Sequence, residues 1–230
     1  MIDVVYVLGN GSRWSDNELR YSLRSVGKHL KKHGDLFLVG EKPTFINDKI
    51  IHIPAQDGSY KETNIFNKLI LACKNPAISD YFLFVNDDHF FAKDFDIDRI
   101  PYWHGPLLQE SLHKRGLQDN YWYSIRNTID ALKDKNKLNF DVHYPIIFNK
   151  YQFSKLESAY DWSVMFGYLI KSLYCNHYHI PGIQTKDNKI NEFSGDKIEW
   201  DIFSTSVHVN TSVKQKLSEM FPDPSPWELR

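Results

Sequence analysis

Cysteine is nearly absent from this 230-residue chain: only Cys73 and Cys175 occur, each inside an apolar helical pattern. Two such residues exclude a disulfide framework and a cysteine zinc site, and they read as buried thiols in a reducing compartment. No apolar run approaches the ~18 residues of a membrane span. The opening "MIDVVYVLGNG" has no basic leader and is interrupted by Asp3, so it reads as a first strand rather than a signal peptide. The expected location is the cytoplasm. An excess of one charge is missing too: 28 Lys and Arg stand against 29 Asp and Glu, a formal net charge of −1. Neither nucleic acid nor a membrane surface is therefore an expected partner. The Gly-Lys-Ser/Thr ending of a Walker loop and the GxGxxG pattern are both lacking. No repeat, low-complexity linker or boundary is visible, which leaves one domain over residues 1–230.

What the chain does have is aromatic weight, 15% with 13 Tyr and 6 Trp, enough for an aromatic core and for the lining of a sugar or base cleft. Short apolar runs at 2–8, 36–39, 49–54 and 81–85 read as buried strands. Between them, Leu19, Leu23, Val26 and Leu30 form an amphipathic helix with Ser15 or Asp16 as N-cap. A second helix with Ile65, Phe66, Leu69, Ile70 and Cys73 inward starts at a Thr63 cap. The β-α-β-β-α-β order, with strands too apolar to be half exposed, predicts an α/β fold with a mostly parallel sheet flanked by helices. In the second half, residues 105–135 read as helical, 141–148 as a loop or short strand, and 161–175 as one helix capped by Asp161. A strand at 197–204 and a helix at 211–220 follow. Residues 221–230, broken by proline, are expected to lie extended over the surface.

In a parallel sheet the ligand site lies outside the carboxyl ends of the strands. Asn10-Gly11 follow the first strand and Asn86-Asp87-Asp88 follow the strand at 81–85. Adjacent carboxylates at such a place suit Mg²⁺ or Mn²⁺, with Asn86 orienting a carboxylate or touching the ligand; a solvated turn is the plain alternative. Arg20 and Arg24 lie one helical turn apart and pair either with solvent or with a pyrophosphate. Lys68 is a candidate phosphate contact from the second helix. His143, among apolar residues, is a satisfied histidine or a general base. His177 and His179 read as structural, and His208 as a third metal ligand or phosphate contact.

Together these pieces resemble the Stealth family of sugar-phosphate transferases, the capsule polymerase and N-acetylglucosamine-1-phosphotransferase type. "IDVVYVLGNGS" (2–12) is similar to the family's opening strand, and "NELRYSLRSVGKHL" (17–30) with "FLFVNDDHFFAKDF" (82–95) to its second block. "DVHYPIIFNK" (141–150), followed by "YDWSVMFGYLI" (160–170), is similar to the third block, and "KLSEMFPDPSPWE" (216–228) to the fourth. Leu8 and Arg13 depart from the family's Trp and Asp, and the long insertions between the first two blocks are missing. The resemblance implies a GT-A-like fold, with a donor-binding half over residues 1–100 and an acceptor and catalytic half over 101–230. It further implies a divalent metal (Mn or Mg) and a nucleotide-diphosphate sugar donor, a UDP-sugar foremost.

The function so implied is transfer of sugar-1-phosphate to a hydroxyl of a glycan or other acceptor. Asp88, His143 and Arg20 would be catalytic. Asn10, Gly11, Arg24, Lys68 and Asn86 would bind the nucleotide-sugar, and Asp87, Asp88 and His208 the metal. An ordinary glycosyltransferase, releasing nucleoside diphosphate, needs the same groups. A non-catalytic glycan-binding module on the same frame is the reading from another class.

Overall fold

The computed structural model describes residues 1–115, 118–133, 135, 137–193, 200–206 and 209–229. At its centre is a five-stranded sheet. Strand β1 (Ile2–Leu8) is buried from Asp3 onward. It is followed by helix α1 (Asn17–His29), β2 (His33–Gly40), β3 (Ile51–Ile53), helix α2 (Lys61–Lys74) and β4 (Tyr81–Val85). The sheet order is β3-β2-β1-β4 with all pairs parallel, and β6 (Ile146–Asn149) adds antiparallel beside β4. Alternate residues of β1 serve opposite faces. Val4, Tyr6 and Leu8 pack with Leu19, Leu23 and Val26 of α1, while Val5 and Val7 pack with Phe66, Leu69 and Ile70 of α2. Both faces being covered, the strand sequences read as continuous apolar runs. The α/β class and mostly parallel sheet expected from the sequence are present.

A smaller sheet lies beyond β4. Strand β5 (His89–Phe91) pairs antiparallel with β8 (Ile202–Thr205), which pairs parallel with the short β7 (Lys189–Ile190). Helix α1 ties into this sheet: Ser22 Oγ donates to His89 O at 2.6 Å, and Ser25 Oγ accepts from Phe91 N at 3.1 Å. The remaining helices used below are α3 (Asn120–Leu132), α4 (Lys150–Ala159), α5 (Ile170–His177) and α6 (Thr211–Met220). No described helix is long and apolar enough to cross a membrane.

Three local expectations are corrected. The helix expected over 161–175 begins only at Ile170, because Phe166 and Gly167 take positive φ (69° and 65°) and break the path. Asp161 caps a turn instead, accepting from Ser163 N at 2.9 Å. Helix α2 starts at Lys61, so Thr63 lies in its first turn rather than at the cap. A Cβ on Gly167 would sit 2.9 Å from Thr63 Oγ1, which explains a glycine there. Asp16 occupies the cap of α1 without bonding through its side chain. Ser12 Oγ, which accepts from Asp16 N at 2.8 Å and donates to buried Glu18 at 2.9 Å, orders that entry.

The C-terminal segment is the third correction. It does not lie over the surface but closes the α1 side of the core. Trp227 is buried in the cluster that holds α1 and β1. Leu229 N and Asn47 N bond across to the 45–47 segment and the tail at 2.7 and 2.9 Å. Glu228, 5% exposed, accepts from Arg24 Nε and Nη2, each at 2.8 Å, and from Ser225 N at 2.8 Å. Removing one partner of a buried bidentate pair strands the other charge. Glu228→Ala is therefore expected to cost about 2–4 kcal/mol in urea unfolding; a loss within ~0.5 kcal/mol would show the tail to be dispensable.

Candidate active site

The strand order reverses at β1: the chain first builds outward through β2 and β3, then returns to place β4 on the other side. Such a switch point opens a crevice between the carboxyl ends of the two central strands. The loop after β1 (Gly9, Asn10, Gly11) and the turn after β4 (Asn86, Asp87, Asp88) meet there, and they line one cavity of about 530 Å³. His143 and Lys68 reach the same cavity. Arg20 and Arg24 do not.

The carboxylates are held in place by backbone bonds. His89 N donates to Asn86 O at 3.2 Å, Asn86 N donates to His89 Nδ1 at 3.3 Å, and Thr205 N donates to Asp88 O at 3.3 Å. His89 is itself fully buried, and burial drives its pKa well below the ordinary histidine value. It is a neutral strut with Nδ1 as acceptor. Above it, desolvation, the neighbouring Asp88 charge and Glu18 push the Asp87 carboxyl up to about 7, against the opposing pull of Lys61. Among the described residues, none bonds the buried Asp88 Oδ1.

Lysines around the cavity divide into struts and free ends. Lys68 is 3% exposed, and its Nζ donates to Leu8 O at 2.7 Å and pairs with Asp57. Its charge is committed to holding the end of β1, which corrects the expectation of a phosphate contact. Lys61, two turns earlier on the same face of α2, is exposed and lines the cavity. The i, i+7 spacing from Lys68 was the available signal for it. Lys171 is buried, and its Nζ donates to both Val142 O and Tyr144 O. These two bonds bracket His143 from below and fix the irregular backbone that carries it.

His143 is gripped at both ring nitrogens. Its Nδ1 lies 2.7 and 3.0 Å from the two oxygens of Asp187, and its Nε2 lies 3.2 Å from Lys189 Nζ. The carboxylate makes Nδ1 the N–H donor, so Nε2 is left as acceptor. Burial alone would raise the Asp187 carboxyl, but the hydrogen bond from His143, with the Lys189 ammonium adding to it, holds it below the usual value. Neither Asp187 nor Lys189 stands out in the sequence, since no local pattern links them to a residue more than forty positions away. Glu62 and Asp141 complete the wall on this side. Burial pushes Glu62 up to about 7; Asp141 adds to that rise, and Lys61 and Lys171 oppose it.

Arg20 and Arg24 serve the C-terminal clamp. Arg24 is bonded to Glu228, and Arg20 lies 3.8 Å from the same carboxylate with its guanidinium 4.3 Å from the Phe45 ring centre. The spacing that put them on one helical face was correct, but that face looks toward the tail. His208 lies outside the described residues. Among the described residues, no three His, Cys, Asp or Glu side chains gather closely enough to hold a metal by themselves. His177 is structural, its Nδ1 2.6 Å from Tyr160 OH.

The Asp87 environment sets a pH dependence. Its native carboxyl is raised above its unfolded value, so the native state holds the extra proton between about pH 4 and pH 7 and loses stability as pH rises through that window. In chelator-treated protein, Asp87→Asn is expected to raise stability at pH 8 by about 1–2 kcal/mol and to change it little at pH 4. Equal effects at both pH values in thermal unfolding would remove the like-charge strain from the account. No protein-family model matches the chain.

Proposed function

We propose that the cavity binds a nucleotide-diphosphate sugar with a divalent cation and transfers sugar-1-phosphate to an acceptor hydroxyl. The carrying observation is that the Asp87-Asp88 turn and the Asp187-supported His143 open into one cavity at the switch point of the sheet. The resemblance of the sequence to the Stealth transferases supports the same reading. The unpartnered Asp88 Oδ1 beside a second carboxylate is an oxygen set suited to a small hard cation whose remaining positions are filled by phosphate oxygens and water. Held there by Asp87 and Asp88, Mg²⁺ or Mn²⁺ would supply positive charge to the phosphates.

The protein's own groups do the rest. The acceptor hydroxyl gives its proton to His143 Nε2 as its oxygen bonds to the sugar-bearing phosphorus. The bond from that phosphorus to the bridging oxygen breaks, and the electron pair leaves with the nucleoside monophosphate; the sugar C1–O bond is untouched. The resulting imidazolium is stabilised by Asp187. Lys61 and Lys189 offset the phosphate charge, a role assigned from the sequence to Arg20 and Arg24. Asn10 and Gly11 offer exposed backbone to the nucleotide, and Asn86 shapes the carboxylate turn.

The deciding experiment identifies the nucleotide released from UDP-, GDP- and CDP-sugars with Mg²⁺ or Mn²⁺, water standing in for the acceptor. Monophosphate with free sugar-1-phosphate is expected. Diphosphate with free sugar would replace this reading by an ordinary glycosyltransferase, and no release from any donor would favour a binding module. His143→Ala is expected to cut turnover by about 10² or more with donor affinity retained. Turnover close to that of the unaltered protein would make His143 structural.

A further inference from the structure

The grip on His143 has a chemical consequence. A base that is to take a proton at Nε2 needs that lone pair open, yet here the Lys189 ammonium donates into it at 3.2 Å. The two clamping residues come from one tripeptide, Asp187-Asn188-Lys189, and as i, i+2 neighbours at the start of β7 they project to the same side. The residue between them anchors the clamp. Asn188 is fully buried, its Nδ2 donates to Ile202 O at 2.9 Å, and its backbone O accepts from Ser204 N at 3.2 Å. The backbone of the clamp is therefore fixed to β8.

The two arms differ in freedom. Asp187 also accepts from the His143 backbone N at 3.4 Å, so its carboxylate is tied to the histidine at two points. Lys189 is exposed at the end of a long flexible stem, it donates to His143 Nε2, and it lines the cavity that also holds Lys61 and the Asp87-Asp88 turn. A neutral imidazole nitrogen is a weaker acceptor for an ammonium than a phosphoryl oxyanion, because the oxyanion adds the Coulomb attraction of a full negative charge that a neutral ring cannot supply. An oxyanion in the cavity would therefore draw Lys189 from His143 and open Nε2 in the same movement.

We propose that Lys189 is a phosphoryl-oxyanion ligand held in reserve on His143, so that binding of a diphosphate anion releases the general base. The proposal rests on the transferase reading for its purpose, but the clamp can be tested without a donor or an acceptor. An unliganded chain keeps its base capped, and the base is freed when an anion occupies the place next to it. Water entering an otherwise empty cavity meets a histidine whose lone pair is already taken.

The test follows the imidazole nitrogens of ¹⁵N-histidine-labelled full-length protein by NMR while inorganic pyrophosphate is added, with His143→Gln identifying the resonance. In the unaltered protein, the Nε2 signal is expected to move toward that of an unbonded pyridine-type nitrogen as the anion saturates. In Lys189→Met, which keeps the aliphatic stem at an exposed position, the signal should already be there without pyrophosphate and should not respond to it. Pyrophosphate affinity should fall about tenfold in that variant, the equivalent of one charge-assisted hydrogen bond. An unmoved Nε2 signal at saturating pyrophosphate, or unchanged affinity in Lys189→Met, overturns the proposal. If the clamp behaves as stated while no nucleotide-sugar is turned over, the transferase reading fails alone. If turnover depends on His143 while the signal stays still, the clamp fails alone.

Discussion

Everything at the cavity depends on keeping two adjacent carboxylates at the end of a buried strand against their mutual repulsion. Strand β4 delivers Asp87 and Asp88 to the switch point because its apolar residues are buried on both faces of the sheet. The turn then survives because its backbone is bonded on both sides, inwardly to His89 and laterally to Thr205. His89 can do this only as a neutral ring, and complete burial ensures that neutrality. A charged histidine would relieve the repulsion better, but it would have lost Nδ1 as the acceptor for Asn86 N. The protein holds the turn by geometry, and Lys61 and Lys171 offset only part of its charge.

Buried lysines are the second device. Lys68, Lys150 and Lys171 are each under 9% exposed, and each donates to backbone carbonyls near a strand end or loop: Leu8 O, Ile78 O, and Val142 O with Tyr144 O. An ammonium has three donors and satisfies carbonyls that no regular ladder reaches. Burying one is costly unless those bonds are made. Arg13, Lys61 and Lys189 are exposed cations lining the cavity, and on the proposed reading a phosphorylated ligand would draw on them.

The division between legible and illegible features follows the same logic. Strands β1 and β4, with helix α6, match the sequence periodicity to the residue, since burial on fixed faces writes itself into spacing. The cavity was foreshadowed by Asn10, Gly11 and Asp87-Asp88, because the end of a parallel strand is a place that sequence order can locate. Arg20 and Arg24 show the limit. Helical spacing puts them on one face, but the partner of that face, Glu228, is more than two hundred residues away. The same holds for Asp187 and Lys189 against His143, and for Gly167 against Thr63, where close approach leaves no room for a Cβ and the glycine's positive φ stops the helix expected over 161–175. Side chains that act through long-range contact leave no local period to read.

The site therefore has a rigid half and a movable half, and the distinction bears on how it would handle water. The carboxylate turn, the Lys68 and Lys171 struts and the Asp187 grip are fixed by bonds to backbone or to short side chains. Lys189, on a long exposed stem, donates to His143 Nε2 and is drawn toward the Asp187 carboxylate. A transferase that exposes an activated base before its donor is in place invites hydrolysis once that donor arrives with water as the nearest hydroxyl. Coupling base exposure to the anion does not by itself exclude water, but it confines the open base to the liganded state. On the proposed transferase reading, discrimination between water and an acceptor would come from the wall formed by Glu62, Tyr121 and Asp141, which line the same cavity as His143. An acceptor with several hydroxyl groups can bond to that wall while presenting one oxygen to Nε2, whereas a single water molecule cannot span it. If the cavity is that of a transferase, the acceptor's remaining hydroxyls, and not the reacting one, would supply the energy that favours transfer over hydrolysis.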